Sequence, residues 1–133
     1  MTMAKHMTYI FSEDARAQAE FYVQALGGEI VSVQTHGELP HATEENKDKV
    51  MHLSLVAAGV NILMSDAVFE SVQPGTAINL VLEFEQESEA YAAYEKLAEG
   101  GTVRDPIKPA FWGSLFGQLE DKFGVRWMIT TGS

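Results

Sequence analysis

The alternation of apolar and polar positions along the chain gives way to a helical period in two places. From Ser12 to Gly28, SEDARAQAEFYVQALGG sets Ala15, Ala19, Tyr22 and Leu26 at helical spacing. This predicts an amphipathic helix with Ser12 as its N-cap and Gly27-Gly28 as its stop. From Glu87 to Gly101, ESEAYAAYEKLAEGG puts Ala90, Tyr94 and Leu97 on one face. Its closing Gly100-Gly101 again accepts the left-handed backbone of a helix end. Strand-like runs flank both helices: HMTYIFS before the first, then EIVSVQTHG, VMHLSLVAAG and VNILMSDA after it; AINLVLEFE before the second, then TVRDPI, SLFGQLED and VRWMITT.

Each half therefore reads strand, helix, three strands, a repeat of the kind that defines a fold. Aligning the two Gly-Gly stops gives an offset of about 73 residues, and aligning Gly59 with Gly124 gives about 65. The difference is a long loop in the first half, GELPHATEENKDK, whose Gly, Pro and charges suit an exposed segment. The expected fold is α+β, one domain over 1–133 built of two βαβββ modules at 6–66 and 76–131.

Strand alternation assigns faces. Ile78, Leu80, Leu82 and Phe84 point toward the helix, and Asn79, Val81 and Glu83 point away. The offset of about 73 sets His6, Thr8 and Ile10 on the matching face of the first strand; a shift of one residue would set Met7 there instead of His6. Met128 shares a face with Arg126 and Thr130 and corresponds to Leu63; His52, Ser54 and Val56 oppose Met51, Leu53 and Leu55. Each sheet has a helix-covered face and a second, mixed face able to line a cup.

Composition narrows the chemistry. The formal net charge is −10, which argues against nucleic acid and against an anionic membrane surface. There is no cysteine, so disulfides and thiolate metal sites are excluded, in keeping with a cytoplasmic protein. The start, MTMAKHMTYIF, lacks the apolar stretch of a signal peptide, and no run approaches the ~18 apolar residues of a membrane span. No Gly-x-Gly-x-x-Gly follows a strand and no Gly-x-Ser-x-Gly elbow is present, so neither a dinucleotide loop nor a serine hydrolase is indicated. His36 and His41 flank the long loop without a rigid scaffold and read as surface histidines.

Four stretches, EFYVQALGGEI, HGELP, VMHLSLVAAGVNILMSDA and FWGSLFGQLEDKFGVRWMI, together resemble the vicinal oxygen chelate superfamily, which includes glyoxalase I, extradiol dioxygenases and bleomycin-resistance proteins. The chain is most similar to its PhnB-like branch, often labelled a 3-demethylubiquinone-9 3-methyltransferase domain. The resemblance covers roughly residues 6–130. It implies two βαβββ modules forming a cupped mixed sheet, and a homodimer. Metal-dependent members take four ligands from the first and last strands of each half. Carried over, those places hold His6 or Met7, Leu63, Asn79 and Met128. Leucine has no donor and methionine is a soft, weak one, so no cofactor or metal is expected.

The resemblance thus implies a metal-free small-molecule binder. Leu63, Val81, Trp112 and Met128 would line the cup, with His52, Asn79 and Glu83 as polar anchors. An acidic site suits a cationic or neutral ligand better than an anion. The alternatives are a glyoxalase- or dioxygenase-type metal enzyme with an altered site, and a structural or regulatory dimer without a ligand. His52 and Glu83 read either as an acid–base pair or as an ordinary strand histidine and a solvated carboxylate. The resemblance places Phe111 and Trp112 at the rim, where they contact a ligand, pack in the core or meet a dimer partner. Gly113 and Gly117 would bend a strand around the pocket, and in DKFG Asp121 would bond its own turn while Gly124 takes a positive φ.

Overall fold

The computed structural model describes residues 2–132. The chain divides into two compact units, Met1–Val72 and Gln73–Ser133. Each contains a four-stranded sheet and one long helix, so the α+β, two-module expectation holds.

In the first unit, β1 (Thr8–Ser12) leads into α1 (Ala15–Leu26), which carries the chain to β2 (Gly28–Thr35); β3 (Val50–Ala57) and β4 (Val60–Asp66) follow. The strand order is β1-β4-β3-β2. β1 and β4 run parallel and the other pairs antiparallel. A parallel pair needs a crossover, and the helix supplies it. α1 packs on β2, β3 and β4. Ala15, Ala19 and Tyr22 are buried, as are Leu53, Leu55, Ile62 and Met64, so one face of helix and sheet forms the core. Leu26 is only half-buried. The two-residue turn Ala58-Gly59 joins β3 to β4 with both φ positive, the backbone twist that hairpins favour.

The N-cap differs from expectation. Asp14, not Ser12, caps α1, its side chain accepting from the Ala17 N–H at 3.1 Å. Ser12 stays in the sheet, paired with Asp66, and its carbonyl accepts from the Ala67 N–H at 2.7 Å. Its hydroxyl accepts from the Asp14 N–H at 3.0 Å, shaping the turn into the helix. Asp66 closes the unit: Oδ1 accepts from the Ala15 N–H and Oδ2 from the Val50 N–H, each at 2.7 Å. One carboxylate thereby satisfies an otherwise orphaned donor of the helix start and fixes where β3 begins.

The second unit repeats the plan with β5 (Asn79–Phe84), α2 (Glu87–Ala98), β6 (Thr102–Pro109), β7 (Leu115–Glu120) and β8 (Arg126–Thr131), in the order β5-β8-β7-β6. β5 and β8 are parallel. Here Thr131 Oγ1 accepts from the Leu115 N–H at 3.0 Å, where Asp66 accepts from Val50 in the first unit. Ile78, expected to face the helix, lies before β5 and is exposed. Buried Ala90, Ala93, Tyr94 and Leu97 form the inner face of α2.

Two side chains organise the return strands. Buried Asp121 accepts from the Phe123 and Val125 N–H groups at 2.9 and 3.1 Å through Oδ1, and from Trp127 Nε1 at 2.9 Å through Oδ2. Gly124 takes φ +89° in this turn. The Tyr94 hydroxyl lies 3.0 Å from the carbonyl oxygens of both Asp105 and Gln118, donating to them. The β6–β7 register shifts on either side of Asp105, and Pro106 has no N–H to give. The tyrosine therefore serves carbonyls at the irregular edge. Gly117 makes room for it: a Cβ there would come within 2.8 Å of Ile107 and the Tyr94 ring. Its role is close packing under the helix rather than a bend around a pocket.

Two stability predictions follow from these contacts. D121A removes a charged acceptor of three N–H groups, at a cost of roughly 2–4 kcal/mol, and urea unfolding followed by Trp127 emission measures it; a loss within experimental error would show that the turn stands without the carboxylate. Burial raises the pKa of Tyr94 above its ordinary 10.0, and neighbouring Asp105 adds to the shift. The folded state thus holds this proton longer than the unfolded chain. Its stabilisation is complete below about pH 10 and is lost as pH rises through the folded-state value. Y94F should cost about 1 kcal/mol at neutral pH and flatten the alkaline fall in stability; an unchanged alkaline slope would assign that fall to other groups.

Candidate functional site

Each sheet has a face turned away from its own helix, and the residues singled out from the sequence sit on these faces or at their ends. His52 and Leu63 belong to the first unit; Asn79, Val81, Glu83, Trp112 and Met128 belong to the second. His52 and Glu83, considered above as an acid and its base, therefore stand in different units.

The first unit's helix-free face is read from its ladders. Tyr9 pairs with Leu63, Leu63 with Ser54, and Ser54 with Ser32. Beside that row, Phe11 pairs with Ser65 and His52 with Gln34. The Tyr9 ring centroid lies 5.4 Å from that of Phe11 and 6.0 Å from that of His52. These ladders correct the register of the first strand. Tyr9 meets Leu63 where Val81 meets Met128, so the first strands correspond with an offset of 72, not 73. Met7, Tyr9 and Phe11 match Asn79, Val81 and Glu83; His6, Thr8 and Ile10 do not. Exposed Tyr9 and Phe11 alternate with half-buried Thr8 and Ile10, and His6 lies before the strand.

In the second unit, Asn79 pairs with Arg126, Val81 with Met128, and Glu83 with Thr130. Met128 continues to Gln118 and Thr130 to Phe116. Arg126 Nε donates to Glu120 Oε1 at 3.1 Å. The Asn79 Oδ1 atom is buried without a hydrogen-bond partner, an arrangement that costs free energy unless something donates to it. Trp112 stands in the hairpin between β6 and β7, which the Ala110 N–H closes onto Ser114 O and the Gly113 N–H onto Ala110 O. Gly113 takes φ +99° in this turn. Trp112 meets Phe116 edge-on at 5.7 Å and Phe111 at 4.8 Å. With Phe111 97% and Trp112 52% exposed, core packing is excluded for this pair.

With the register settled, the four ligand places implied by the resemblance hold Met7, Leu63, Asn79 and Met128. Two thioethers, one amide and a hydrocarbon do not fit a hard divalent cation, which takes carboxylate and carbonyl oxygens or imidazoles. Among the described residues, no group of three or more His, Asp or Glu is arranged to hold a metal. A cleft of about 260 Å³ at the start of α1 is lined by Glu13, Asp14, Arg16, Glu45, Asp48, Lys49 and Asp66. The Asp66 carboxylate there is already engaged by backbone donors. Tyr9 and Phe11 were missed from sequence; the alternation of HMTYIFS showed them, but the Gly-Gly alignment turned the strand by one position.

These two βαβββ units define a class. Residues 4–129 match the Glyoxalase/Bleomycin resistance protein/Dioxygenase superfamily, and the chain belongs to it. Its relatives are PhnB-like. It is 29% identical over 120 residues to the protein YjdN of Escherichia coli K12, with 82% of each chain covered. The protein PA1353 of Pseudomonas aeruginosa superposes with a TM-score of 0.84 at 30% identity, covering 97% of this chain and 98% of that one. A PhnB protein of Bacillus cereus, which carries the name 3-demethylubiquinone-9 3-methyltransferase, superposes with a TM-score of 0.77 at 25% identity over 97% and 100% of the two chains. Among the described residues, no helix is long and apolar enough to cross a membrane.

Asn79 supplies a test of what the helix-free face costs the fold. N79L replaces the orphaned amide with an apolar side chain of similar size and should raise stability by about 1 kcal/mol in urea unfolding of the ligand-free protein. A loss of similar size would mean that the amide oxygen is hydrogen-bonded in solution.

Proposed function

We propose that this is a cytoplasmic small-molecule-binding protein that works without a metal and takes its ligand on the helix-free face of a sheet. The observation that carries the reading is that Leu63 and Met128, at equivalent positions of the two last strands, stand where the resemblance expects metal donors, on faces that mix apolar and polar side chains. Leu63, Val81, Met128 and Trp112 offer hydrophobic contact. His52, Asn79 and Glu83 offer directional bonds, and the unpartnered Asn79 Oδ1 asks for a donor. Side chains that offer apolar contact beside others that offer hydrogen bonds are what small-molecule sites use. Glu83 and the net charge of −10 favour a cationic or neutral ligand. The methyltransferase activity in the Bacillus relative's name is not carried over, because no Gly-x-Gly-x-x-Gly loop opens either helix. The active form in this reading is a homodimer, the state common among members of the superfamily, which light scattering on the purified protein checks.

The test is elemental analysis of dialysed, untagged protein, with melting curves in Ni²⁺, Zn²⁺, Mn²⁺ and Fe²⁺. A ligand selective for the native state stabilises it by about 2.7 kcal/mol at a hundred times its Kd, so a real site shifts the melting point by several degrees. The expected result is no stoichiometric metal and no shift, followed by hits in a small-molecule screen that quench Trp112 emission. One metal per chain with a clear shift would replace this reading with a metal enzyme.

A further inference from the structure

The first unit carries a ring cluster on its helix-free face that the fold does not consume. Tyr9 is 44% and Phe11 63% exposed, although both stand in a strand whose other face packs inward. The Tyr9 ring tilts against Phe11 by 55° and against His52 by 41°, so the three rings are contiguous. Along the ladders Ser65 stands beside Phe11, and the Tyr9 row runs through Leu63 to Ser54 and Ser32.

Charge on this face is one-sided. The remaining ladder partners are Gln34, opposite His52, and Glu29, Val56 and Asn61, with Val56 paired to both Glu29 and Asn61. None of these paired positions is Lys or Arg, and Glu29 is acidic. Aromatic faces attract cations, and the field of a chain at −10 draws them in. An anion would find neither a guanidinium nor an ammonium here.

We propose that Tyr9, Phe11 and His52 form a stacking platform for a flat aromatic cation. The inference rests on the small-molecule reading above and names its ligand class for the first unit. Stacking of a heteroaromatic ring on an aromatic side chain is worth enough that truncating one partner weakens binding by about five-fold or more.

The experiment uses the full chain and two probes of similar flatness and opposite charge, proflavine as the cation and 1-pyrenesulfonate as the anion, with binding read by fluorescence anisotropy. The wild type should bind proflavine in preference to the sulfonate. Y9A and F11A should each weaken proflavine about five-fold or more with melting points near wild type, because both rings are largely solvent-facing. F69A, which removes a 96% exposed ring elsewhere, should leave binding unchanged. Equal binding of the sulfonate, or unchanged proflavine affinity in both ring variants, would overturn the platform. So would a shift of Y9A and F11A from dimer to monomer in light scattering with proflavine binding intact, since the rings would then face a second copy of the chain. The metal analysis decides the broader reading separately: a platform that fails beside a metal-free protein with screen hits removes only the assignment of ligand class.

Discussion

Each unit depends on a parallel pairing between its first and last strands. β1 lies along β4 and β5 along β8, and neither pairing can close without a helix to carry the chain across. The crossover sets which sheet face is covered and which is left to chemistry. The pair is anchored at its end by one side chain in each unit. Asp66 accepts from the first N–H of α1 and the first N–H of β3; Thr131 accepts from the first N–H of β7. A carboxylate and a hydroxyl thus do the same work at equivalent places. The carboxylate does more of it, because its second oxygen reaches the helix.

That anchoring determines what the helix-free faces present. Once the last strand is held in register, its alternate residues are committed: Met64 and Ile129 go into the cores, and Leu63 and Met128 go to the other side. The places where the resemblance expects metal donors hold hydrocarbon and thioether. The polar groups that remain are dispersed, and one of them, Asn79 Oδ1, is buried without a partner. In the proposed reading, a donor on the ligand offsets the cost of leaving this oxygen unpaired.

The rings follow the same logic. Trp127 is buried and tied to Asp121 through its indole N–H, so its aromatic surface belongs to the core. Trp112, fifteen residues earlier, stands on a hairpin tip, where Phe111 and Phe116 meet it edge-on. The same residue type is structural in one place and available in the other. The difference lies in burial: Trp127 is 1% exposed and Trp112 52%. The helix tyrosines are both structural: buried Tyr22 accepts from Gln18 Nε2 at 2.7 Å, and buried Tyr94 serves the carbonyls of an irregular edge.

The sequence by itself determined the element order, the internal repeat and the helix faces. These are local properties: periodicity, glycine stops and residue chemistry are readable one segment at a time. It also placed Leu63 and Met128 correctly as equivalents, because Gly59 and Gly124 each sit just before the strand they align. Tertiary structure alone decided the rest. Ser12 looked like a helix cap, but its backbone pairs with β4, so the cap fell to Asp14. The first-strand register moved by one, exchanging His6, Thr8 and Ile10 for Met7, Tyr9 and Phe11, because the pairing partner of a strand lies about fifty residues away and glycine stops mark helix ends, not ladders. A slip of one residue turns every side chain to the opposite face. Only long-range hydrogen bonding could show that the first strand presents Tyr9 and Phe11 on this face, and not Thr8 and Ile10.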